Sequence, residues 1–320
     1  MIRDYNHQNN SLWSLGTGKE NEYGKGSYGP YPVFNYQQGH IQNNLQFPTY
    51  TISDKEFNKL SEYIKTHYGI NLKEEKKTLL IGRLRNVLMQ NNFKNFSEYY
   101  DYIISDKTGI AATTLVDRIS TNHTFFMREA DHFKYFQDTI LPYLKKTAER
   151  SKDLRIWSAG CSSGEEPYTL AMIIDEFFGA EKPQWDTRIL ATDISNKVLD
   201  TARRGIYDNE KLAALPSHWR LKFFKQVNGD CSSIIDRIRD EVIFRRFNLM
   251  DEKFPFRRKF NVIFCRNVMI YFDNQTKKKL IDKFYDFLEY GGYLFIGLSE
   301  SISRGESKFK YIRPAVYRKE

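Results

Sequence analysis

The chain has 320 residues, a mass of 37.9 kDa, 41% hydrophobic and 28% charged residues. That is enough for one large or two modest folded domains, and it excludes a small stapled scaffold and wholesale disorder. A net charge of +9 admits nucleic acid, an anionic membrane or an acidic protein surface as partner and does not choose among them.

Residues 1–50 are rich in Asn, Gln, Gly and Tyr without helical or strand period, and their charges cancel, so a disordered polar tail is expected and the excess charge lies in the folded part. The N-terminus lacks the apolar run of a secretory signal, and no stretch of about 18 apolar residues occurs anywhere. A cytoplasmic protein without membrane insertion is therefore expected. The three cysteines, Cys161, Cys231 and Cys265, are far apart and form no C-x-x-C pair, so neither a disulfide framework nor a zinc site is expected. The histidines likewise show no metal-ligand spacing, and no metal is expected.

From residue 51 the character changes. Ser53-Asp54-Lys55-Glu56 has capping-box spacing, Phe57, Leu60, Tyr63 and Ile64 share one helix face, and Gly69 is placed to end the helix in a left-handed conformation. A second helix is expected over 74–89 with Leu80, Leu84, Val87 and Leu88 as its apolar side and Lys76, Lys77, Arg83 and Arg85 as a basic face. Further helical patterns cover 97–104 and 113–119. No strand-like alternation interrupts them, so residues 51–125 read as an all-helical domain.

Beyond about residue 153 short apolar runs alternate with helical stretches, the pattern of an α/β fold with a parallel sheet. Strands are expected at 155–158, 188–192, 242–247, 261–265 and 293–297. Residues 205–241 are too long for an ordinary connection and read as an inserted subdomain of the 126–320 domain.

The most informative segment is RIWSAGCSSGEEPYTLAM, residues 155–172: a strand, a turn holding Gly160 and Gly164, and a helix opened by Glu165-Glu166-Pro167. In a doubly wound sheet such a turn sits at the carboxyl edge, where ligands bind. The turn is not a G-x-G-x-x-G, and carboxylates at a helix start suit a cationic or hydroxyl-bearing ligand better than a phosphate. They could equally serve only as caps. The next strand ends in Asp193, where nucleoside-binding folds place an acid that accepts from ribose hydroxyls, although a lone Asp there is also a common turn residue.

The segments ISTNHTFFMREADHF, IWSAGCSSGEEPYTLA, ILATDIS with VLDTARRGIY, FNLMD, and VIFCRNVMIYF with YGGYLFIGLSES together resemble the CheR family of chemotaxis receptor methyltransferases. These are S-adenosylmethionine-dependent protein-glutamate O-methyltransferases, which yield glutamate methyl esters and S-adenosylhomocysteine in sensory adaptation. The resemblance implies a class I, Rossmann-like methyltransferase sheet with a small inserted β-subdomain behind the helical domain. Carried over position by position, Asn122, Thr124, Arg128, Glu166, Asp193, Asn248, Leu249, Arg266 and Asn267 match the family's cofactor-contacting residues, and Tyr271 its active-site tyrosine. Arg128 is expected to steer the substrate carboxylate and Tyr271 to pack beside the transferred methyl group.

The stretch 224–244 looks shorter than in members whose β-subdomain docks a tethering peptide at the receptor C-terminus. Recognition is therefore assigned to Lys76, Lys77, Arg83 and Arg85, facing the acidic helical bundle of the receptor's cytoplasmic part, by an enzyme expected to be a monomer. The competing readings are a methyltransferase acting on nucleic acid, a non-catalytic signalling module that binds the same cofactor and, more remotely, an NAD-dependent oxidoreductase. The first lacks an N-P-P-Y-like turn, since that position reads Cys265-Arg266-Asn267-Val268, and the last lacks the glycine fingerprint.

Overall fold

The computed structural model describes residues 50–303, 305 and 307–320. The expected disordered tail lies outside the described residues except for Tyr50, whose hydroxyl donates to the Phe93 carbonyl at 3.1 Å.

The first unit is helical. Helix α1 (Asp54–Tyr68) begins with the expected capping box at Ser53 and Glu56 and ends at Gly69, which holds φ +73. A 3-10 turn (Glu74–Lys76) leads into α2 (Lys77–Gln90), followed by α3 (Phe96–Ser105) and α4 (Ile110–Ile119). Leu60, Ile64, Leu84, Leu88, Phe96 and Leu115 are fully buried between them. The basic residues of the second helix are not one uniform face. Lys77 pairs with Asp54 at the start of α1, and Arg83 donates to the Ile119 and Ser120 carbonyls at the end of α4, whereas Lys76 and Arg85 are exposed. Lys77 and Arg83 thus help to hold the helices together, Arg83 by binding carbonyls that the end of a helix leaves without partners.

The chain then enters α5 (Ala130–Tyr135), a π-helical turn (Phe136–Ile140) and α6 (Leu141–Thr147). The second unit runs β1 (Ile156–Ala159), α7 (Glu165–Phe178), β2 (Ile189–Asp193), α8 (Asn196–Arg204), β3 (Ile206–Asp208), α9 (Ser217–Phe223), β4 (Phe224–Gln226), β5 (Cys231–Ile234), α10 (Asp236–Arg239), β6 (Val242–Arg246), β7 (Phe260–Cys265), α11 (Asn274–Phe287), β8 (Leu288–Ile296), β9 (Lys310–Arg313) and β10 (Val316–Arg318). Seven strands form one sheet in the order β6-β2-β1-β7-β8-β10-β9, parallel from β6 to β8 and antiparallel beyond it.

Strand alternation sends Ile156, Ile189, Phe264 and Phe295 into the core on one face and Trp157, Leu190, Ile263 and Leu294 into the core on the other. With helices on both faces the parallel strands are buried on both sides, which is why they read as short continuous apolar runs. The insertion between α8 and β6 carries its own antiparallel sheet, order β3-β5-β4.

Two expectations need adjustment. Strand β8 starts at Leu288 instead of residue 293, and β9 and β10 were not anticipated. Tyr290-Gly291-Gly292 looks like a turn in sequence, but it lies within β8, where Gly291 takes φ +78 against the Tyr143 hydroxyl and the β7–β8 register shifts between Phe260 and Val262. Gly291 therefore marks a strand irregularity.

The helical unit is joined to the sheet through the end of α1. Asn71 N–H donates to the Tyr271 carbonyl and Asn248 Nδ2 to the His67 carbonyl, both at 2.8 Å, and Lys65 pairs with Asp273 at 3.1 Å. At Gly69 a methyl group would come within 2.5 Å of Met250 Sδ. Gly69→Ala is therefore expected to lower stability by about 1–2 kcal/mol from its left-handed backbone alone. Urea unfolding of the full chain checks this, and an unchanged midpoint would contradict the packing described here.

Candidate functional site

Parallel pairing of β6, β2, β1 and β7 sets their carboxyl ends side by side, and β1 is the switch point from which the chain winds to either side. A cavity opens there, with about 1110 Å³ of unfilled space including its open mouth. Its floor is the turn after β1 (Gly160, Cys161, Ser162), and its sides are Glu166, Asp193, Asn248, Leu249, Arg266, Asn267 and Tyr271. Its roof is the linker from Ile119 to Arg128 together with Tyr68 and Ile70 from the end of α1. Every cofactor-binding and catalytic candidate taken from the sequence, Asn122 and Thr124 included, lines this one cavity. Lys76, Lys77, Arg83 and Arg85 do not.

The floor is held closely. The N–H groups of Gly160 and Cys161 both donate to the Thr192 carbonyl, at 2.7 and 2.9 Å, so the turn follows β2 past the end of β1. Gly160 takes φ +89, and a Cβ there would strike the Val268 side chain. Ser162 Oγ donates to the Asn122 carbonyl at 3.0 Å, tying the roof to the floor.

The Asp193 carboxylate accepts from the N–H groups of Ser162 (2.9 Å) and Ser195 (3.0 Å). It serves as a turn residue and faces the cavity as well. Burial lifts its carboxyl above the ordinary value despite these donors, so it gains from further hydrogen bonds, such as those from vicinal hydroxyls. The two acids at the start of α7 divide their work: Glu165 turns to Ser163 Oγ (2.7 Å), and Glu166 faces the cavity. Glu166 accepts from Ser158 Oγ at 2.7 Å and from Arg266 Nη1 at 3.1 Å, yet burial still lifts its carboxyl.

Arg266 is the centre of a buried ion cluster, its side chain only 2% exposed. It pairs with Glu166 and, at 3.1 Å, with Glu129, donates to the Arg128 carbonyl, and packs on the Phe133 ring. Sequence reasoning missed Glu129. The other Glu129 oxygen accepts from Asn267 Nδ2 and Leu298 N–H, both at 3.2 Å. Burial works to raise its carboxyl, but Arg266 and these donors outweigh that and hold it below the ordinary value. Glu300, also missed, accepts from the N–H groups of Gly297 (2.6 Å), Asn267 and Ile270 (both 3.0 Å) and joins the loops after β7 and β8. Glu129, Ser162 and Asn267 all hold positive φ, a concentration of backbone strain of the kind found at ligand sites. Arg128, at the end of the roof, lies over the Phe125 ring, with Nη1 donating to the His123 carbonyl at 2.8 Å.

The donor set suits a nucleoside that carries a cationic group: buried acceptors at Asp193 and Glu166, amides at Asn122, Asn248 and Asn267, and an apolar wall of Leu249 and Phe247. The sequence comparisons decide which. Residues 122–317 match the family described as "CheR methyltransferase, SAM binding domain", and residues 55–120 match "CheR methyltransferase, all-alpha domain". The chain belongs to the CheR methyltransferase family. This CheR-family enzyme is 44% identical over 270 residues to the chemotaxis protein methyltransferase of Borreliella burgdorferi, covering 84% of this chain and 95% of the relative. It is 33% identical to chemotaxis protein methyltransferase 2 of Pseudomonas aeruginosa (90% of this chain, 97% of the relative) and 33% identical to the chemotaxis protein methyltransferase of Escherichia coli (83% and 91%). It is a methyltransferase of the class I fold, and S-adenosylmethionine is its cofactor. No helix among the described residues is long and apolar enough to cross a membrane.

Next to the ion cluster, His132 is buried with Nδ1 3.4 Å from Glu129 Oε2. Burial, reinforced by the Arg266 charge, pushes its imidazole down to about 4. An unfolded imidazole titrates near 6.5, so the unfolded chain takes up this proton first as pH falls. The stabilisation from keeping His132 neutral is full above about 6.5 and is lost toward 4, on the order of 3 kcal/mol in all. In urea unfolding across this window a His132→Phe enzyme should lose less stability than the wild type by an amount of that order; parallel curves would contradict the assignment.

Proposed function

We propose that this methyltransferase transfers its methyl group to glutamate side chains on the cytoplasmic helical bundle of chemotaxis receptors, forming glutamate methyl esters. The observation that carries the reading is that Arg128 and Tyr271 line the same cavity as the residues that suit the cofactor. Bound there, S-adenosylmethionine supplies an electrophilic methyl group on a sulfonium.

A glutamate side chain, with an ordinary pKa near 4.3, is already ionised at neutral pH, so the nucleophile needs no general base. What the protein contributes is position. Arg128 is always charged and its planar fork matches a carboxylate, so it can hold the incoming oxygens in a fixed orientation. Orientation of this kind is worth roughly 7–11 kcal/mol of barrier in favourable cases. Tyr271, which lines the same cavity, would pack against the cofactor's transferable methyl group. Asp193, Glu166 and the asparagines hold the cofactor from the floor and sides.

The receptor's acidic bundle meets the helical unit first. Lys76 and Arg85 are the exposed members of the basic set, while Lys77 and Arg83 also brace α1 and α4. Complementary charge of this type raises encounter rate and fixes orientation, and salt screens it. Where the relatives are named for chemotaxis, the same assignment gives this chain a role in sensory adaptation.

The deciding experiment labels a receptor cytoplasmic fragment with methyl-labelled S-adenosylmethionine and treats the product with mild base. Methyl esters release methanol; base-stable label would overturn the glutamate assignment. Arg128→Ala should cut kcat/KM about 10- to 100-fold, the loss of one charge-assisted carboxylate contact, and near-normal turnover in a folded variant would remove Arg128 from its role. Tyr271→Phe reports whether the hydroxyl contributes beyond packing: unchanged kcat would assign the residue to packing alone. Lys76→Glu with Arg85→Glu should weaken receptor methylation and reduce its salt dependence while S-adenosylhomocysteine binding stays intact. A methylation rate whose salt dependence matches wild type would contradict docking through α2.

A further inference from the structure

Three large apolar side chains stand in solvent on segments that border the cavity: Phe125 (43% exposed) lines it, Ile270 (44%) precedes Tyr271, which lines it, and Leu298 (53%) is tied through its N–H to Glu129, the chain neighbour of Arg128. They come from three separate segments, the linker, the loop after β7 and the loop after β8. None of these segments is loose. Ile270 N–H is held by Glu300 Oε1 at 3.0 Å, Leu298 N–H by Glu129 Oε1 at 3.2 Å, and Phe125 lies under the Arg128 guanidinium. Glu300 Oε2 also joins the two loops by accepting from both Asn267 N–H and Gly297 N–H. A Cβ at Gly297 would collide with Asn267, so the loops are packed as closely as backbone allows. Exposed apolar groups presented on a clamped backbone are the pattern of a docking surface, because rigid presentation removes the ordering cost of binding.

Charge identifies the occupant. The cation on this side of the cavity is Arg128, stacked on Phe125, whose guanidinium has five donors and, among the described residues, meets the His123 carbonyl as its hydrogen-bond acceptor. A cation stacked on one exposed apolar side chain, with two more on the neighbouring loops, fits a segment that presents one carboxylate flanked by apolar residues. On a helix, the residues three and four positions away share the carboxylate's face and reach a surface about one turn distant.

We propose that Phe125, Ile270 and Leu298 form an apolar collar that docks the apolar residues one helical turn from the target glutamate, and so select which glutamates on a receptor helix enter the site. This rests on the receptor reading above and adds the feature that discriminates among acidic residues: the basic helix α2 attracts the bundle as a whole, and the collar reads the local face. A glutamate flanked by charges would leave the collar unfilled and bring unpaired charge against it, which is a penalty as well as a missing contact.

The test uses the full-length enzyme, a receptor cytoplasmic fragment and S-adenosylhomocysteine as the binding probe. The Ile270→Ser/Leu298→Ser enzyme should raise KM for the fragment at least tenfold and leave kcat and S-adenosylhomocysteine affinity within twofold. The conservative Ile270→Val/Leu298→Met enzyme should keep the wild-type KM. Tyr290→Ser, which removes an exposed ring near the other end of β8, should change nothing. Unchanged KM in the serine enzyme overturns the proposal, as does a fall in kcat at constant KM, which would mean that these residues position the catalytic groups. If the double serine enzyme loses S-adenosylhomocysteine affinity, each single serine variant that retains it is read by the same criterion. A wild-type enzyme that does not label the fragment would instead count against the receptor reading itself.

Discussion

One buried guanidinium organises the site. Arg266 follows β7, Glu166 opens the helix after β1, and Glu129 ends the linker from the helical unit, and the three meet where water is nearly excluded. A charge so deeply buried is tolerated only with its partners in place, and removing one partner of such a group commonly costs about 3–5 kcal/mol. The pairing therefore fixes the roof of the cavity relative to its sides. It does so with groups that also hold Asn267 and Leu298, so the same cluster shapes the sides of the cavity and anchors the loop after β8.

A second consequence concerns the helical unit. Tyr68 and Ile70 complete the cavity wall, and the hydrogen bonds from Asn71 to Tyr271 and from Asn248 to His67 attach the end of α1 to two candidate site residues. The unit that carries the basic residues is thus also part of the cofactor cavity. The proposed docking helix α2 and the nucleoside cavity therefore belong to one continuous body, with the end of α1 and the linker between them.

Local signals in the sequence were legible where local physics decides the structure. The capping box at Ser53, the left-handed Gly69, the strand-turn-helix from β1 to α7 and the acid at the end of β2 all depend on neighbours in the chain. The residues that resembled a family motif all face one cavity, although they are scattered from Asn122 to Tyr271. Glu129 and Glu300 escaped notice because their partners, Arg266, Asn267, Leu298 and the loop after β7, are distant or form no periodic pattern. Glu129 in particular stands 137 positions from Arg266. The basic helix was read from charge alone, whereas Lys77 and Arg83 are engaged by Asp54 and the end of α4 through tertiary contacts that no helical wheel displays. Strand β8 was expected only from residue 293, and the structure extends it back to Leu288 across Gly291, which absorbs a strand irregularity beside Tyr143.

Calorimetric titration of the purified full-length chain with S-adenosylhomocysteine is the most direct measurement of the central claim, that the carboxyl edge around Asp193, Glu166 and Arg266 is a nucleoside site. The structure predicts saturable one-to-one binding that is lost when Asp193 is replaced by Ala in a folded protein. Absence of binding by the wild-type chain, or binding that survives Asp193→Ala unchanged, would contradict it.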